Sequence, residues 1–153
     1  MEKLLIIDQI RFFGGLTAEE KAMIAELDLK IFRYKIHSLI IREKETDNHL
    51  FFLIKGTATV AGGDKKPLAI LQPGEVFGEV SFLAPNKPRT ADVIANSEVI
   101  VMRVGKEAFQ TLDPELRDKL KDKLISVLVD RLVGRENSGA LELSDTFGWT
   151  GRK

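Results

Sequence analysis

Between Leu29 and Val104 the chain is a series of short runs rich in Ile, Val, Phe and Thr, each cut off by a charged or Gly-containing turn. Runs of that length and close spacing are strands of an antiparallel sandwich or barrel. The pattern predicts strands over 30–35, 38–42, 49–54, 57–61, 66–71, 91–95 and 99–104. Gly62-Gly63-Asp64 supplies a hairpin turn between two of them.

Helical spacing brackets this region on both sides. Leu4, Leu5, Ile7 and Ile10 predict a helix over 2–11, which Gly14-Gly15 ends. Thr17-Ala-Glu-Glu20 reads as a capping box, so a second helix starts there and runs to about Leu27. After Val104 a short helix is expected over 106–112. Asp113-Pro114 is then a strong start, with Asp as N-cap and Pro at the first helical position. Leu116, Leu120, Leu124, Leu128 and Leu132 recur along the helix that follows, and Ile125, Val127, Val129 and Val133 widen its apolar face. So wide an arc calls for two partners, the strand region and a second subunit. Gly134 is the expected stop. The domain is therefore 1–134, followed by a tail over 135–153 that carries Leu141, Leu143, Phe147 and Trp149, the Trp expected to pack on the domain.

Composition removes several classes of function. The 153 residues suit one domain, or a domain with one appended helix. Lys plus Arg and Asp plus Glu number 23 each, so the net charge is zero and no broad basic surface invites nucleic acid. The tail is too short to place a recognition helix, and no direct nucleic-acid binding is expected. The absence of cysteine excludes disulfides, thiolate chemistry and cysteine metal sites. Apolar runs such as Leu50–Ile54 are too short to span a membrane, and the N-terminus is too polar for a signal peptide, which makes a cytoplasmic protein the default. Gly62-Gly63-Asp64-Lys65-Lys66 lacks the spacing of a phosphate loop. His37 and His49 are too few for a barrel metal centre and read as surface residues.

Chemistry concentrates in FGEVSFLAPNKPRTADV, residues 77–93. Gly78 lets the backbone approach another group closely. A helical turn over 79–83 would aim free amides at an anion. Arg89 offers a planar fork suited to phosphate, and Glu79 can accept from a hydroxyl. Both charges are costly to bury alone. Either they pair with each other as a structural ion pair, or they close on a ligand that presents an anion and a hydroxyl, as the phosphate and ribose of a nucleotide do.

The run resembles the phosphate-binding cassette of the cyclic nucleotide-binding domain family. The likeness extends from about Phe12 to Leu132 and takes in FGGLTAEE, IIREKETDNHLFFLIKG, LQPGEVFGE and PRTADV in that order. It implies an α+β, mainly β fold: an antiparallel β-roll, a jelly-roll-like barrel, with N-terminal helices and a C-terminal lid and dimerisation helix. It implies cAMP or cGMP as ligand, no cofactor and no metal. Gly78, Val80 and Ser81 would offer backbone contacts, Glu79 would take the ribose 2′-hydroxyl, and Arg89 the cyclic phosphate. Thr90 and Ala91 would lie beside phosphate and base, with Thr90 either a small residue that fits or one that tells guanine from adenine. Val60 and Leu68 would line the pocket from the strands. Val127 and Arg131 belong to the helix expected to close over the base.

Members of the family commonly have Gly where this chain has Lys44 and Asp47. Those positions are expected to lie away from the cassette and to bear on local turn geometry rather than on binding. The implied function is a cytoplasmic sensor that binds without catalysis, with a homodimer built through helix 114–133 on Leu120, Leu124, Leu128 and neighbouring valines and an output through a separate effector. The rival reading is a degenerate form of the same fold that serves as an interaction or dimerisation module.

Overall fold

The computed structural model describes residues 2–84 and 86–139. Helix α1 (Glu2–Gln9) leads through a 3-10 turn at Arg11–Phe13 into α2 (Ala18–Ala25). The capping box forms as the sequence predicts: Thr17 Oγ1 accepts from the Glu20 amide, and the Glu20 carboxylate accepts from the Thr17 amide. Every expected strand follows, as β1 (Lys30–Tyr34), β2 (Leu39–Ile41), β3 (Leu50–Lys55), β4 (Ala58–Ala61), β5 (Pro67–Leu71), β7 (Asp92–Ala95) and β8 (Val99–Val104). The sequence reading missed β6 (Val76–Phe77), which is too short for any alternation to show. Helix α3 (Glu79–Leu83) lies between β6 and β7, and α4 (Lys106–Gln110) and α5 (Pro114–Gly139) complete the described residues.

The strands form two antiparallel four-stranded sheets, ordered β1-β8-β3-β6 and β2-β7-β4-β5. The roll is thus a pair of facing sheets, not a closed barrel. Strand β3 explains how they face each other. Its residues Leu50 to Leu53 are all buried, yet successive side chains point to opposite faces. Phe51 and Leu53 enter a core between the sheets with Ile41, Phe77, Val93, Val99 and Val101. Leu50 and Phe52 enter a second core with Phe12, Phe13, Ile24, Met102, Phe109 and Leu116. A continuous apolar run is what burial on both faces requires.

Helix α5 starts as expected, with Asp113 Oδ2 accepting from the amides of Glu115 and Leu116. Gly134 does not stop it, because the helix runs on to Gly139. An interior Gly costs a helix only about 1 kcal/mol relative to Ala, too little to end it. The wide apolar arc divides lengthwise. Leu116, Leu120 and Leu124 are buried against the sheet, whereas Ile125, Val129, Leu132 and Val133 are roughly half exposed. Leu120 and Leu124 are therefore core residues and cannot carry a contact with a second subunit, as the sequence suggested. Leu141, Leu143, Phe147 and Trp149 lie outside the described residues.

Among the described residues no helix is long and apolar enough to cross a membrane. The division of α5 predicts a contrast. Leu124→Ala should cost about 2–5 kcal/mol in urea unfolding, the range for a large-to-small change in a packed core. Ile125→Ala, one residue further round the helix, should cost less than about 1 kcal/mol.

Candidate functional site

The site is built where β6 turns into α3. Gly78 adopts φ +82° as the residue before the helix. A Cβ there would stand 3.0 Å from Arg89 Nη1 and 3.2 Å from the His49 carbonyl. Both the left-handed backbone and the lack of space restrict the position to glycine. The predicted helical turn over 79–83 is present as α3. Glu79 and Ser81 are buried at its start, while Val80 is partly exposed.

Glu79 and Arg89 do not pair with each other, which removes the structural ion pair between them and leaves the alternative in which they close on a ligand. Arg89, only 4% exposed, directs its fork at two chain segments, the β2–β3 loop and the turn before α3. Nε and Nη2 donate to Asp47 Oδ1 and Oδ2 at 3.1 and 2.7 Å. Nη2 also donates to the His49 carbonyl at 2.8 Å, and Nη1 to the Gly78 carbonyl at 3.0 Å. The guanidinium lies 5.8 Å from the centroid of the Phe51 ring. A guanidinium has five N–H groups. Among the described residues these bonds use four, and one N–H on Nη1 remains for another acceptor.

Asp47 thus corrects the sequence reading. It lies against the cassette, and it is the main counter-charge of the residue expected to bind phosphate. The β2–β3 loop is also fastened by its backbone: the Lys44 amide donates to the Arg89 carbonyl at 2.8 Å, and the Arg89 amide to the Glu45 carbonyl at 2.6 Å. That path imposes φ +75° on Lys44, which is why a glycine suits the position. His49 is also more than a surface residue, since its Nδ1 lies 3.1 Å from Asp47 Oδ2. The clue available from sequence was the need of a buried guanidinium for a carboxylate, for which REKETDN offers three candidates.

Glu79, 6% exposed, is met by α5. Arg131 Nη1 donates to Glu79 Oε2 at 3.0 Å, and Nη2 to the Val76 carbonyl at 2.6 Å. Arg131 therefore stands in the site as the partner of Glu79. Thr90 is exposed and Ala91 half-buried. Val60 lies opposite Val93 and Ala69 in the second sheet and packs on the core between the sheets. Leu68 stands apart from that core, at the register shift between β4 and β5, with its side chain against Gly62. Val127 packs on the edge of the helix-side core.

Asp92 is a further buried carboxylate that the sequence reading passed over. It accepts from Lys65 Nζ at 2.6 Å and from the Glu43 amide at 2.7 Å, tying the β4–β5 turn to the first residue of β7 and to the β2–β3 loop. Burial pushes its pKa up, but the bonds from Lys65 and Glu43 outweigh that and hold it low. Among the described residues no cluster of His, Asp and Glu is arranged to hold a metal ion.

Asp47 carries a pH signature. Burial pushes its carboxyl up, but the bonds and charge of Arg89, with His49, hold it at about 2. An unfolded Asp titrates near 3.9. A depressed folded pKa gives stability that is complete above the unfolded value and disappears as pH falls through the folded one. Wild type should therefore exceed Asp47→Asn by about 1–2 kcal/mol at neutral pH, a figure discounted for partial exposure. The gap should close between about pH 4 and pH 2. Urea unfolding across that range checks it, and a gap independent of pH would count against the pairing.

Comparison with known proteins identifies the family of this fold. A family model described as cyclic nucleotide-binding domain matches residues 31–113, more than half of the chain. The cAMP-dependent protein kinase regulatory subunit of Neurospora crassa is 34% identical over 108 residues, covering 69% of this chain and 27% of that subunit. The chain spans about a quarter of the length of the first curated relatives it matches. Among solved structures, a cyclic nucleotide-binding domain from Methylobacillus flagellatus shares the fold, with TM-score 0.78, 20% identity and coverage of 93% of this chain and 85% of that one. The regulatory subunit of a cAMP-independent protein kinase A from Trypanosoma brucei aligns with TM-score 0.70 at 25% identity, over 84% of this chain and 44% of that one. With the Gly78-Glu79 turn, the buried Arg89 and the facing sheets all inside or beside the matched span, the chain belongs to the cyclic nucleotide-binding domain family.

Proposed function

We propose that this chain binds a cyclic nucleotide, cAMP or cGMP, as a cytoplasmic regulatory module without catalysis. One observation carries the reading. Glu79 and Arg89 are both buried at one turn, each oriented by a partner other than its neighbour, and each keeps unused hydrogen-bonding capacity. The remaining Nη1 N–H of Arg89 suits the cyclic phosphate, and the remaining oxygen of Glu79 suits the ribose 2′-hydroxyl. The relative from Neurospora crassa, named as cAMP-dependent, supports cAMP, whereas the one from Trypanosoma brucei, named as cAMP-independent, keeps other nucleotides in the comparison. Thr90, exposed next to Arg89, is the residue we assign to the choice between guanine and adenine.

Arg131 gives this reading its output. A ligand hydroxyl on Glu79 touches the carboxylate that holds α5. Binding and helix position then become one equilibrium, shifted by whatever the ligand contacts differently in the two states. An effector that reads α5 would sense the nucleotide.

A second reading keeps the fold as an interaction module that binds no nucleotide. It is favoured by the four Arg89 N–H groups already satisfied within the protein, since the clamp is complete enough to be structural. Calorimetry with cAMP, cGMP and uncyclised nucleosides separates the two. Binding by wild type should weaken at least tenfold in Arg89→Ala, which loses a charge-assisted bond of roughly 1.5–3 kcal/mol. Glu79→Gln should weaken the ribose ligand more than its 2′-deoxy analogue. A wild type that binds none of them would leave the interaction module.

We also propose that the free face of α5 makes a homodimer through Ile125, Val129, Leu132 and Val133, with half-buried Leu128 beside them and the buried Leu120 and Leu124 no longer part of it. Burying each such side chain contributes about 1.5–3 kcal/mol, against an association cost of several kcal/mol, so the dimer should be weak. Light scattering should show a concentration-dependent dimer that Val129→Lys converts to a monomer of unchanged fold. A wild type that stays monomeric at every workable concentration would refute it.

A further inference from the structure

We propose that His49 tunes the anion affinity of Arg89 through its own protonation, acting on the carboxylate the two residues share. The proposal rests on the reading of Arg89 as an anion ligand. Asp47 Oδ2 lies 3.1 Å from His49 Nδ1 and accepts Arg89 Nη2 at 2.7 Å. The carbonyl of His49 takes the other N–H of that same nitrogen at 2.8 Å. One residue thus touches both ends of the clamp, with its ring at the carboxylate and its backbone at the guanidinium. The ring is held edge-on to Phe51, with centroids 6.5 Å apart, and its far edge faces Gly105, the residue before α4.

The charged groups around the ring define what a proton there would do. Asp47 stands on its own loop, and Arg89 lies beyond it. Arg103 on β8 is the cross-strand partner of Phe51 and shares its face. Lys106 follows Gly105, but its Nζ donates to the Phe82 carbonyl at 2.8 Å. Tyr34 on β1 is close enough to sense Asp47: burial raises its pKa, Arg103 lowers it, and Asp47 raises it further. Glu79 is engaged by Arg131. Asp47 is therefore the carboxylate that answers Arg89 and His49 together.

A neutral ring that carries its proton on Nδ1 donates one ordinary hydrogen bond to Asp47, and the carboxylate charge serves Arg89. A protonated ring puts a second cation on the same carboxylate. The trio of Asp47, Arg89 and His49 then passes from net zero to net positive, and the unused N–H of Arg89 faces an anion with less of its charge offset. Reciprocity follows, so an anion on Arg89 must draw a proton onto His49. Histidine changes charge between about pH 5 and pH 8. A cyclic phosphodiester gains no proton in that range, so the pH dependence belongs to the protein.

The test is calorimetry of cAMP and cGMP from about pH 5.5 to pH 8, in buffers of different ionisation enthalpy. Wild-type affinity should fall roughly three- to tenfold as pH rises, with fractional proton uptake on binding. His49→Gln should abolish both effects and keep the affinity seen at the alkaline end. His37→Gln, in an exposed turn, should preserve both. A flat wild-type profile, or one that His49→Gln leaves unchanged, overturns the proposal. Should neither nucleotide bind at any pH, NMR of the free protein still decides the coupling. The Arg89 Nε resonance should follow the His49 titration and stop doing so in Asp47→Asn. An Arg89 signal indifferent to that titration overturns the coupling. A coupled signal without nucleotide binding removes the cyclic nucleotide reading and leaves the coupling in place.

Discussion

A guanidinium taken out of water is tolerated only where its hydrogen bonds are replaced and its charge is answered. Arg89 meets both conditions by collecting acceptors from separate parts of the chain: the Asp47 carboxylate, the His49 carbonyl and the Gly78 carbonyl. Much of the local structure follows from this. Gly78 must lack a side chain because Arg89 Nη1 and the His49 carbonyl crowd it. The β2–β3 loop must bend back to bring Asp47 within reach, and Lys44 accepts a left-handed backbone as part of that bend. The loop and the residues before β7 are joined by backbone hydrogen bonds at both Lys44 and Glu45, which extends the pairing of β2 with β7 into the turn.

The first sheet supplies the rigid ground for this clamp. Phe51 stacks on Phe77 with centroids 5.1 Å apart, directly beneath the cassette, while its neighbours Leu50 and Phe52 point the other way into the helices. A shift of β3 by one residue would exchange the two faces and bury the wrong set. The N-terminal helices and α5 share one core on the outer face of that sheet. Helix α5 is therefore anchored by Leu116, Leu120 and Leu124 before it reaches the site, and Arg131 two turns later touches Glu79. Packing on the sheet and contact with the cassette thus use successive stretches of one helix.

Membership of the family fixes the architecture more firmly than the ligand. The relatives include regulatory subunits named as cAMP-dependent and one named as cAMP-independent, and the chain spans only about a quarter of the length of the former. The charges around the cassette are answered within the chain: Asp47 has Arg89 and His49 beside it, Asp92 is clamped by Lys65, and Glu79 is met by Arg131. Each buried charge of the cassette is thus shared with a partner from another part of the fold.

The elements were legible in the sequence because their signals are local. The capping box at Thr17, the cap at Asp113 and the strand runs each record how a few consecutive residues satisfy their own backbone. The glycine turn, the short helix at Glu79 and the importance of Arg89 could be read for the same reason. The pairings could not. Arg89 meets Asp47 across 42 residues of sequence, and Arg131 meets Glu79 across 52, so no spacing rule links them. The two residues of β6 carry no period to detect, and the wide apolar arc of α5 does not show which part of it is covered. Hydrophobic periodicity reports that a face is buried. Only the meeting of distant loops decides which charge answers which, because a buried charge takes whatever partner the folded chain brings within about 3 Å.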